Sequence, residues 1–501
     1  MIDNFIPLIV FTPLIMSLIL YSPFIADDEK IIRRVSKGFI TIHFALTVLC
    51  SIFFNFSNPD FIIETDYQWI DVLGINANFA FDSLTMLFVI LTSFIFLIAI
   101  YLSKSMIKKS YRLYYSLIFI LLTAILGVFS AKDIFLFFLF WELELIPMYL
   151  LIQKWGSGNK QKTSMKFLLY TFFGSIFILL GFLILYYLNF KLTGTLSSDI
   201  NDIDIISAPE VLRDLIFFLL LIGFGVKLPI IPLHGWLSDV HSQAPTPVSI
   251  ILSSILLKLG AYGILRFNLQ IFNYEFQVFA IYIMLFALIN IIYASFCAIM
   301  QKDIKRIIAF SGIANMGIFL LGISSLNSIG ITGGIFQLFS HAFISAGLFT
   351  IAGLIYIKCG TKNITRITGL GEKMPRLMFI SIPILLASIG TPLLCGFIAE
   401  FLSFTGAFLL QTEGIFNAKA LSLTALSVLI FSSIYILKIF HGVFFNTIKI
   451  KNRKISDINT KQLTILCLLT ICIIIFGIFP FLLTDIIREY TNITYNPQGV
   501  F

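Results

Sequence analysis

The chain has 501 residues, 58% of them hydrophobic and 12% charged, with a formal net charge of +8. Soluble globular domains carry roughly a quarter charged residues, so a soluble core-burying domain is excluded and a polytopic membrane protein remains. The basic residues are spread over loops and not gathered in one patch, so the positive balance does not call for a nucleic-acid partner.

In chain order, apolar runs of the length that crosses a bilayer, about 20 residues, recur along the whole sequence. About fourteen spans are expected, near 5–24, 36–56, 82–102, 112–129, 133–153, 164–188, 214–240, 246–268, 276–300, 303–324, 329–357, 376–411, 419–445 and 462–488. The first run has no basic n-region and no small-residue cleavage site, so it is expected to be a retained helix. The stretches 57–80 and 189–213 are the long connections. Spans 214–240 and 376–411 are too long for one straight crossing and contain internal Pro or Gly. Cys50, Cys297, Cys359, Cys395, Cys467 and Cys472 show no CxxC or ferredoxin-like spacing. They read as small packing residues, with no disulfide framework and no iron–sulfur site.

Loops alternate between two faces of the membrane. One face carries 25 of the 34 Lys and Arg, the other carries 6, and Lys227, Lys258 and Lys438 fall within spans. The asymmetry predicts that the basic face is cytoplasmic, or matrix in an organelle, with both chain ends on the opposite side.

Six ionisable groups are expected at membrane depth: Glu142, Glu144, Lys227, Lys258, Glu400 and Lys438. A mid-bilayer charge costs about 2.5–3.5 kcal/mol even on the lenient insertion scale. Such groups normally face a wet interior, pair with one another and mark an ion or proton pathway. Lys438 lies near the cytoplasmic end of its span, where snorkelling accounts for it. Glu142 and Glu144 stand about 200° apart on a regular helix, so only one is expected to face a given path. His234 and His341 also fall within spans. They read either as proton relays, with a pKa near 6.5 in the free side chain, or as hydrogen-bonded core residues. Without a second facing histidine pair, neither haem nor another metal is expected.

Two stretches break the helical pattern. In GFGVKLPIIPLHGW, 223–236, Pro229 and Pro232 each remove a backbone donor. Lys227 then closes a half-helix, where the dipole is negative and favours an ammonium. In IGTPLLCGFIAEF, 389–401, Pro392 and Gly396 precede Glu400. Irregular backbone at membrane depth lines a cavity or is buried in protein. Breaks at corresponding places in two halves point to a transport site. The broken spans are the seventh and twelfth, which cross in opposite directions. The expected fold class is therefore an all-α polytopic membrane protein with two inverted five-helix repeats. Its expected segments are 1–110 (spans one to three), 111–270 (first repeat), 271–447 (second, inverted repeat) and 448–501 (last loop and span).

At these residues the chain resembles the antiporter-like, proton-pumping membrane subunits of respiratory complex I, over nearly its whole length. The most distinctive stretch is VKLPIIPLHGWLSDVHSQAPTPVSIILSSILLKLGAYGILR, 226–266; FWELELIP and QKDIKRIIAFSGIANMG, 301–317, are similar to further family segments. Pro147, five residues after Glu142, selects Glu142 over Glu144 as the family glutamate. Glu400, where sibling subunits and multisubunit Na⁺/H⁺ antiporters usually have lysine, resembles the subunit M (chain 4) branch. The chain also stops soon after its last span, without the long lateral helix of the largest sibling. One departure stands out. The family usually has histidine before Met-Gly in the tenth span, and here Asn315 precedes Met316 and Gly317. Asn holds water by hydrogen bonds but takes up no proton at neutral pH.

The resemblance implies a proton-translocating subunit of an NADH–quinone oxidoreductase. Its pathway would run through Glu142, Lys227, Lys258 and Glu400, with His234, His341 and Asn315 in support. It also implies that FMN, iron–sulfur clusters and quinone belong to partner subunits, with no cofactor bound in this chain. The expected partners are the other complex I membrane subunits, above all the two antiporter-like siblings, and membrane lipid. The expected place is the bacterial inner (plasma) membrane with both termini periplasmic, or the mitochondrial inner membrane if the gene is organellar. The competing function is that of a subunit of a multisubunit Na⁺/H⁺ antiporter, which would share Glu142, Lys227 and Lys258; Glu400 and the length argue against it.

Overall fold

A computed structural model describes residues 5–23, 25–56, 58, 61–203, 205, 207–411, 417–447 and 455–495. Phe24 at the end of the first expected span, Lys449, Lys451, Arg453 and Lys454 of the last basic loop, and both chain ends lie outside the described residues.

The order begins α1 (Phe5–Ile19), α2 (Glu29–Phe53), β1 (Ile63–Thr65), β2 (Gln68–Ile70), β3 (Ile75–Asn76), β4 (Phe79–Phe81), α3 (Ser83–Met106), α4 (Tyr111–Ser130), α5 (Ile134–Leu143), α6 (Leu145–Trp155), α7 (Lys160–Thr193) and α8 (Glu210–Lys227). It continues with α9 (Leu237–Gln243), α10 (Thr246–Ile251), α11 (Leu257–Gly263), α12 (Asn273–Met300), α13 (Ile304–Ile323), α14 (Ser328–Cys359), α15 (Pro375–Ala387) and α16 (Cys395–Leu409). It ends with α17 (Ala418–Ala425), α18 (Val428–Phe444), α19 (Thr460–Ile478) and α20 (Phe481–Tyr495). Counting bent pairs once, 11 described helices are long and apolar enough to cross a membrane, and α1, α15 and α16 are shorter apolar helices. The helical membrane fold expected from the sequence is what the structure has. The only described strands lie in the connection after α2, where β1 pairs antiparallel with β4 and β2 with β3.

The chain divides into two compact units, Met1–Leu228 with Ile255–Phe276, and Pro229–Ser254 with Gln277–Phe501. In the first, α7 packs along α8, and α11 packs on both α8 and α4. Polar side chains set the helix starts: Asp82 caps α3 through the Thr85 amide, and Asp133 caps α5 through the amides of Phe135 and Leu136. Gly260 lets α11 approach the end of α8. A Cβ there would stand 2.7 Å from the Leu228 amide nitrogen and 2.8 Å from the Phe224 carbonyl oxygen, both backbone atoms that cannot swing away. In the second unit α14 is the central helix, flanked by α13, α16 and α10, and its most apolar stretch is buried throughout.

Both expected breaks are present. Helix α8 stops at Lys227 and helix resumes at Leu237, and Pro229 and Pro232 fall in between. The second break runs between Ala387 and Cys395 and contains Gly390 and Leu393, both at positive φ, as well as Pro392. Gly396 was expected to belong to this break and does not: it is the second residue of α16. Its missing side chain serves packing, since a Cβ there would strike the Ala387 carbonyl oxygen. The span expected over 133–153 is present as Ile134–Trp155, with its helical pattern interrupted for one residue at Glu144, between α5 and α6. The span 246–271 is likewise not a uniform α-helix, because Leu252–Leu256 and Ile264–Ile271 are wound as π-helix on either side of α11. Such loosened turns are frequent at functional sites.

Candidate functional site

Lys227 is the last residue of α8, so its ammonium stands where unsatisfied carbonyls make the helix end negative. Its Nζ lies 2.6 Å from Glu144 Oε1, and the two side chains are 4% and 0% exposed. The same Nζ stands 3.5 Å from the centroid of the Trp141 ring. A cation over an indole face is attracted by the ring quadrupole, and more strongly where water is excluded. Trp141 is held in place by its Nε1–H, which donates to Ser175 Oγ on α7 at 3.2 Å. Ser175 in turn donates to the Thr171 carbonyl. Three features of the first unit thus favour a cation at one buried point: a helix C-terminus, a carboxylate and an aromatic face.

The proline spacing selects Glu142 as the family glutamate, and the carboxylate in contact with Lys227 is Glu144. The two would point about 200° apart on a regular helix, and the helical bonding pattern is interrupted at Glu144, whose amide bonds to the Glu142 carbonyl. Glu142 is partly exposed, sits beside the Ser175 hydroxyl and stays within electrostatic reach of Lys227. A buried lysine facing two glutamates at i and i+2 suggests that either could be its partner, and the packed structure puts Glu144 in contact.

Lys258 is fully buried on α11, between the two π-helical stretches. The tight Gly260 contact holds this helix against the Lys227 end of α8. Arg266, eight residues further on in the second π-helical stretch, bonds to Asp82 and donates to Thr85 Oγ1 at 3.0 Å, tying that segment to the start of α3. Burial pushes the Asp82 carboxyl up, and the Arg266 guanidinium and the Thr85 amide more than offset this, so it titrates below the usual carboxylate range.

The supporting residues fall in the second unit. Asn315 on α13 is not isolated: Gln337 Nε2 on α14 donates to Asn315 Oδ1 at 2.6 Å, and Asn315 Nδ2 donates to the Ser311 carbonyl. His341, one turn after Gln337, is 4% exposed and packs its ring against Gly312 of α13. Ser345, another turn on, shares a hydroxyl–hydroxyl bond of 3.1 Å with Ser254. Gln337, His341 and Ser345 therefore form one polar stripe along α14, of which only His341 was selected from the sequence. The i, i+4, i+8 spacing was the available signal. His234 lies in the broken stretch before α9, its ring edge-on to Tyr293 at 5.2 Å between centroids. Lys438 Nζ donates to the Ile299 and Gln301 carbonyls at 2.6 and 2.8 Å, neutralising the C-terminal end of α12. Snorkelling was the role expected for it; here the ammonium caps backbone carbonyls.

Glu400 is buried on α16, and its Oε2 has no hydrogen-bond partner among the described residues. It lines a mostly apolar cavity of about 310 Å³ with Gly390, Phe397, Phe404 and Ser422. Gly390, at φ +80°, makes room for the carboxylate, which a Cβ at that position would strike. The described residues contain no cluster of His, Cys, Asp and Glu able to hold a metal. The six cysteines are all free.

Residues 131–427 match the family described as NADH:quinone oxidoreductase/Mrp antiporter, TM. Among curated relatives, NADH-quinone oxidoreductase subunit M of Rickettsia conorii is 37% identical over 94% of each chain. NAD(P)H-quinone oxidoreductase chain 4 of Prochlorococcus marinus is 36% identical over 92% of this chain and 87% of that one. Two solved chains share the fold. One, from respiratory complex I of Thermus thermophilus with bound NADH, aligns at TM-score 0.85, with 23% identity and coverage of 97% of this chain and 98% of that one. The other, from the Mrp complex of Dietzia, aligns at TM-score 0.87, with 19% identity and coverage of 99% and 98%.

Proposed function

We propose that this chain, which belongs to the subunit M/chain 4 branch of the NADH:quinone oxidoreductase/Mrp antiporter membrane family, carries protons across the membrane as part of a multisubunit NADH–quinone oxidoreductase. The observation that carries the reading is the Lys227–Glu144 ion pair, buried at a helix break. A membrane protein has no structural need for a charge at that depth, since an apolar pair of the same size is as stable or more so. A lysine that can gain and lose a proton there gives the cost a purpose.

The stations in the first unit are Glu142, Lys227 and Lys258, with Glu144 paired to Lys227; those in the second are His341, with the Asn315–Gln337 pair and His234 in support, and Glu400. Redox chemistry belongs to other subunits in this reading, and FMN, iron–sulfur clusters and quinone are bound there or between them. The two antiporter-like siblings are the proposed neighbours. The proposed setting is an energy-conserving bacterial or mitochondrial inner membrane, with the basic loops on the cytoplasmic or matrix side.

The competing reading is Na⁺/H⁺ exchange, supported by the fold shared with the Mrp chain. The curated relatives at 36–37% identity favour the oxidoreductase. The test is proton uptake by membrane vesicles carrying the assembled complex, driven by NADH and quinone, with Lys227→Arg and Lys258→Arg. Arginine keeps the charge and cannot release its proton, having a pKa above about 12. Pumping is expected to fail in both variants while they still assemble. Full pumping with arginine at both positions would overturn the reading. Sodium-dependent proton exchange without NADH would establish the antiporter instead.

A further inference from the structure

One buried ionisable group lies outside the glutamate–proline spacing that selects Glu142. Glu144 is an additional carboxylate, two residues after the expected glutamate, and it is the one in contact with the lysine. Its side chain is fully buried at the α5–α6 junction, and the ammonium it holds rests on the face of Trp141. Glu142 is partly exposed, with Oε1 lacking a hydrogen-bond partner among the described residues, and it reaches Lys227 only electrostatically. A single lysine thus has two carboxylates of unequal access on one span.

We propose that Glu144 is the fixed counter-ion that holds Lys227 in place and protonated between turnovers, while the more accessible Glu142 exchanges protons with the surroundings. The proposal rests on the proton-carrying role of Lys227. It assigns Glu144 as a positioning residue that acts through Lys227 and not as a proton carrier itself. Three observations separate the roles. Contact falls to Glu144. Access falls to Glu142. The Trp141 ring, anchored by Ser175, holds the ammonium that Glu144 contacts. The titratable groups acting on Lys227 from α5 and α6 are these two glutamates; on α11, which packs against α8, the charged group is Lys258.

The test compares Glu144→Gln, Glu144→Asp and Glu142→Gln with Lys227→Met in the assembled complex. Each is measured for NADH-driven, quinone-linked proton uptake and for the amount of complex on native gels. Glu144→Gln is expected to slow pumping about tenfold, the factor that ~1.4 kcal/mol of lost charge-assisted bonding gives. Glu144→Asp, which keeps the charge, is expected to recover most of it. A merely space-filling role would be served better by Gln, which matches the size, than by Asp. Wild-type pumping by Glu144→Gln, or equal failure of Gln and Asp in fully assembled complex, overturns the proposal. If Glu144→Gln does not assemble, the double variant with Lys227→Met decides. Recovery of assembly identifies the two as partners, and no recovery overturns the pairing. Lys227→Met separates the two levels, because full pumping by that variant sinks the underlying reading whatever Glu144 does.

Discussion

Lys227→Met removes a buried charge while nearly keeping length and volume, and its cost can be worked from the neighbours. Glu144 is left fully buried without its cation. Breaking one side of a buried pair costs about 3–5 kcal/mol, and the lost contact with the Trp141 face adds up to about 2 kcal/mol where water is excluded. Glu144→Gln is gentler, about 1.5–3 kcal/mol, because Glu142 still lies within electrostatic reach of the ammonium. With both charges removed, the site holds a thioether and an amide, and replacing a buried pair by neutral groups is often close to neutral. The two single losses should therefore fail to add by at least about 3 kcal/mol. The assay is the denaturant or thermal midpoint for release of this subunit from the purified complex, in wild type, both singles and the double. Additive costs, to within about 0.5 kcal/mol, would show that Lys227 and Glu144 are not energetically coupled and would refute the pairing.

Gly260→Ala puts a methyl group against the backbone of Leu228 and Phe224. It should destabilise the subunit by about 1–3 kcal/mol in the same midpoint assay, whereas Gly312→Ala, which meets only the His341 ring at 3.5 Å, should be tolerated. Glu400→Ala should assemble and lose most proton uptake per NADH oxidised; an unchanged ratio and rate would remove Glu400 from the pathway. Gly390→Ala should cost about 1–3 kcal/mol of backbone strain plus a clash of the new methyl with the Glu400 carboxylate, and only the clash should vanish in a Glu400→Ala background.

The spans and both breaks were legible because hydrocarbon imposes long apolar runs, and proline inside such a run leaves few alternatives. Lys227, Lys258 and Glu400 stood out for a related reason: each is an expensive exception within a run. What the sequence hid was side-chain direction. Ideal helical geometry sends Glu142 and Glu144 to opposite faces and does not say which of them packing turns towards Lys227. Nor does proximity to a break make a glycine part of it. Gly396 serves close packing on Ala387, while Gly390, six residues earlier, takes the positive φ. The partner of Asn315 was hidden as well. Gln337 is an unremarkable polar residue until α13 and α14 are packed together and its amide meets that of Asn315.

The two breaks answer why one carries a lysine and the other a glutamate. Helix α8 ends at its break, so the broken end exposes carbonyl oxygens, and the residue placed there is a cation. Helix α16 begins at its break, so the broken end exposes amide hydrogens. Glu400 is more than one turn into α16, too far for its backbone position alone to feel that end. Helical side chains point back towards the N-terminus, however, and the Glu400 carboxylate returns as far as Gly390, within the break itself. Each break thus presents the pole that suits the charge it holds: a C-terminus for Lys227 and an N-terminus for the Glu400 carboxylate. A lysine at position 400 would carry its ammonium back to the same positive end. In this chain Glu400→Lys should therefore be a poorer substitute for glutamate than the lysines of sibling subunits suggest. Proton uptake by that variant equal to wild type would show that the helix end does not govern the choice.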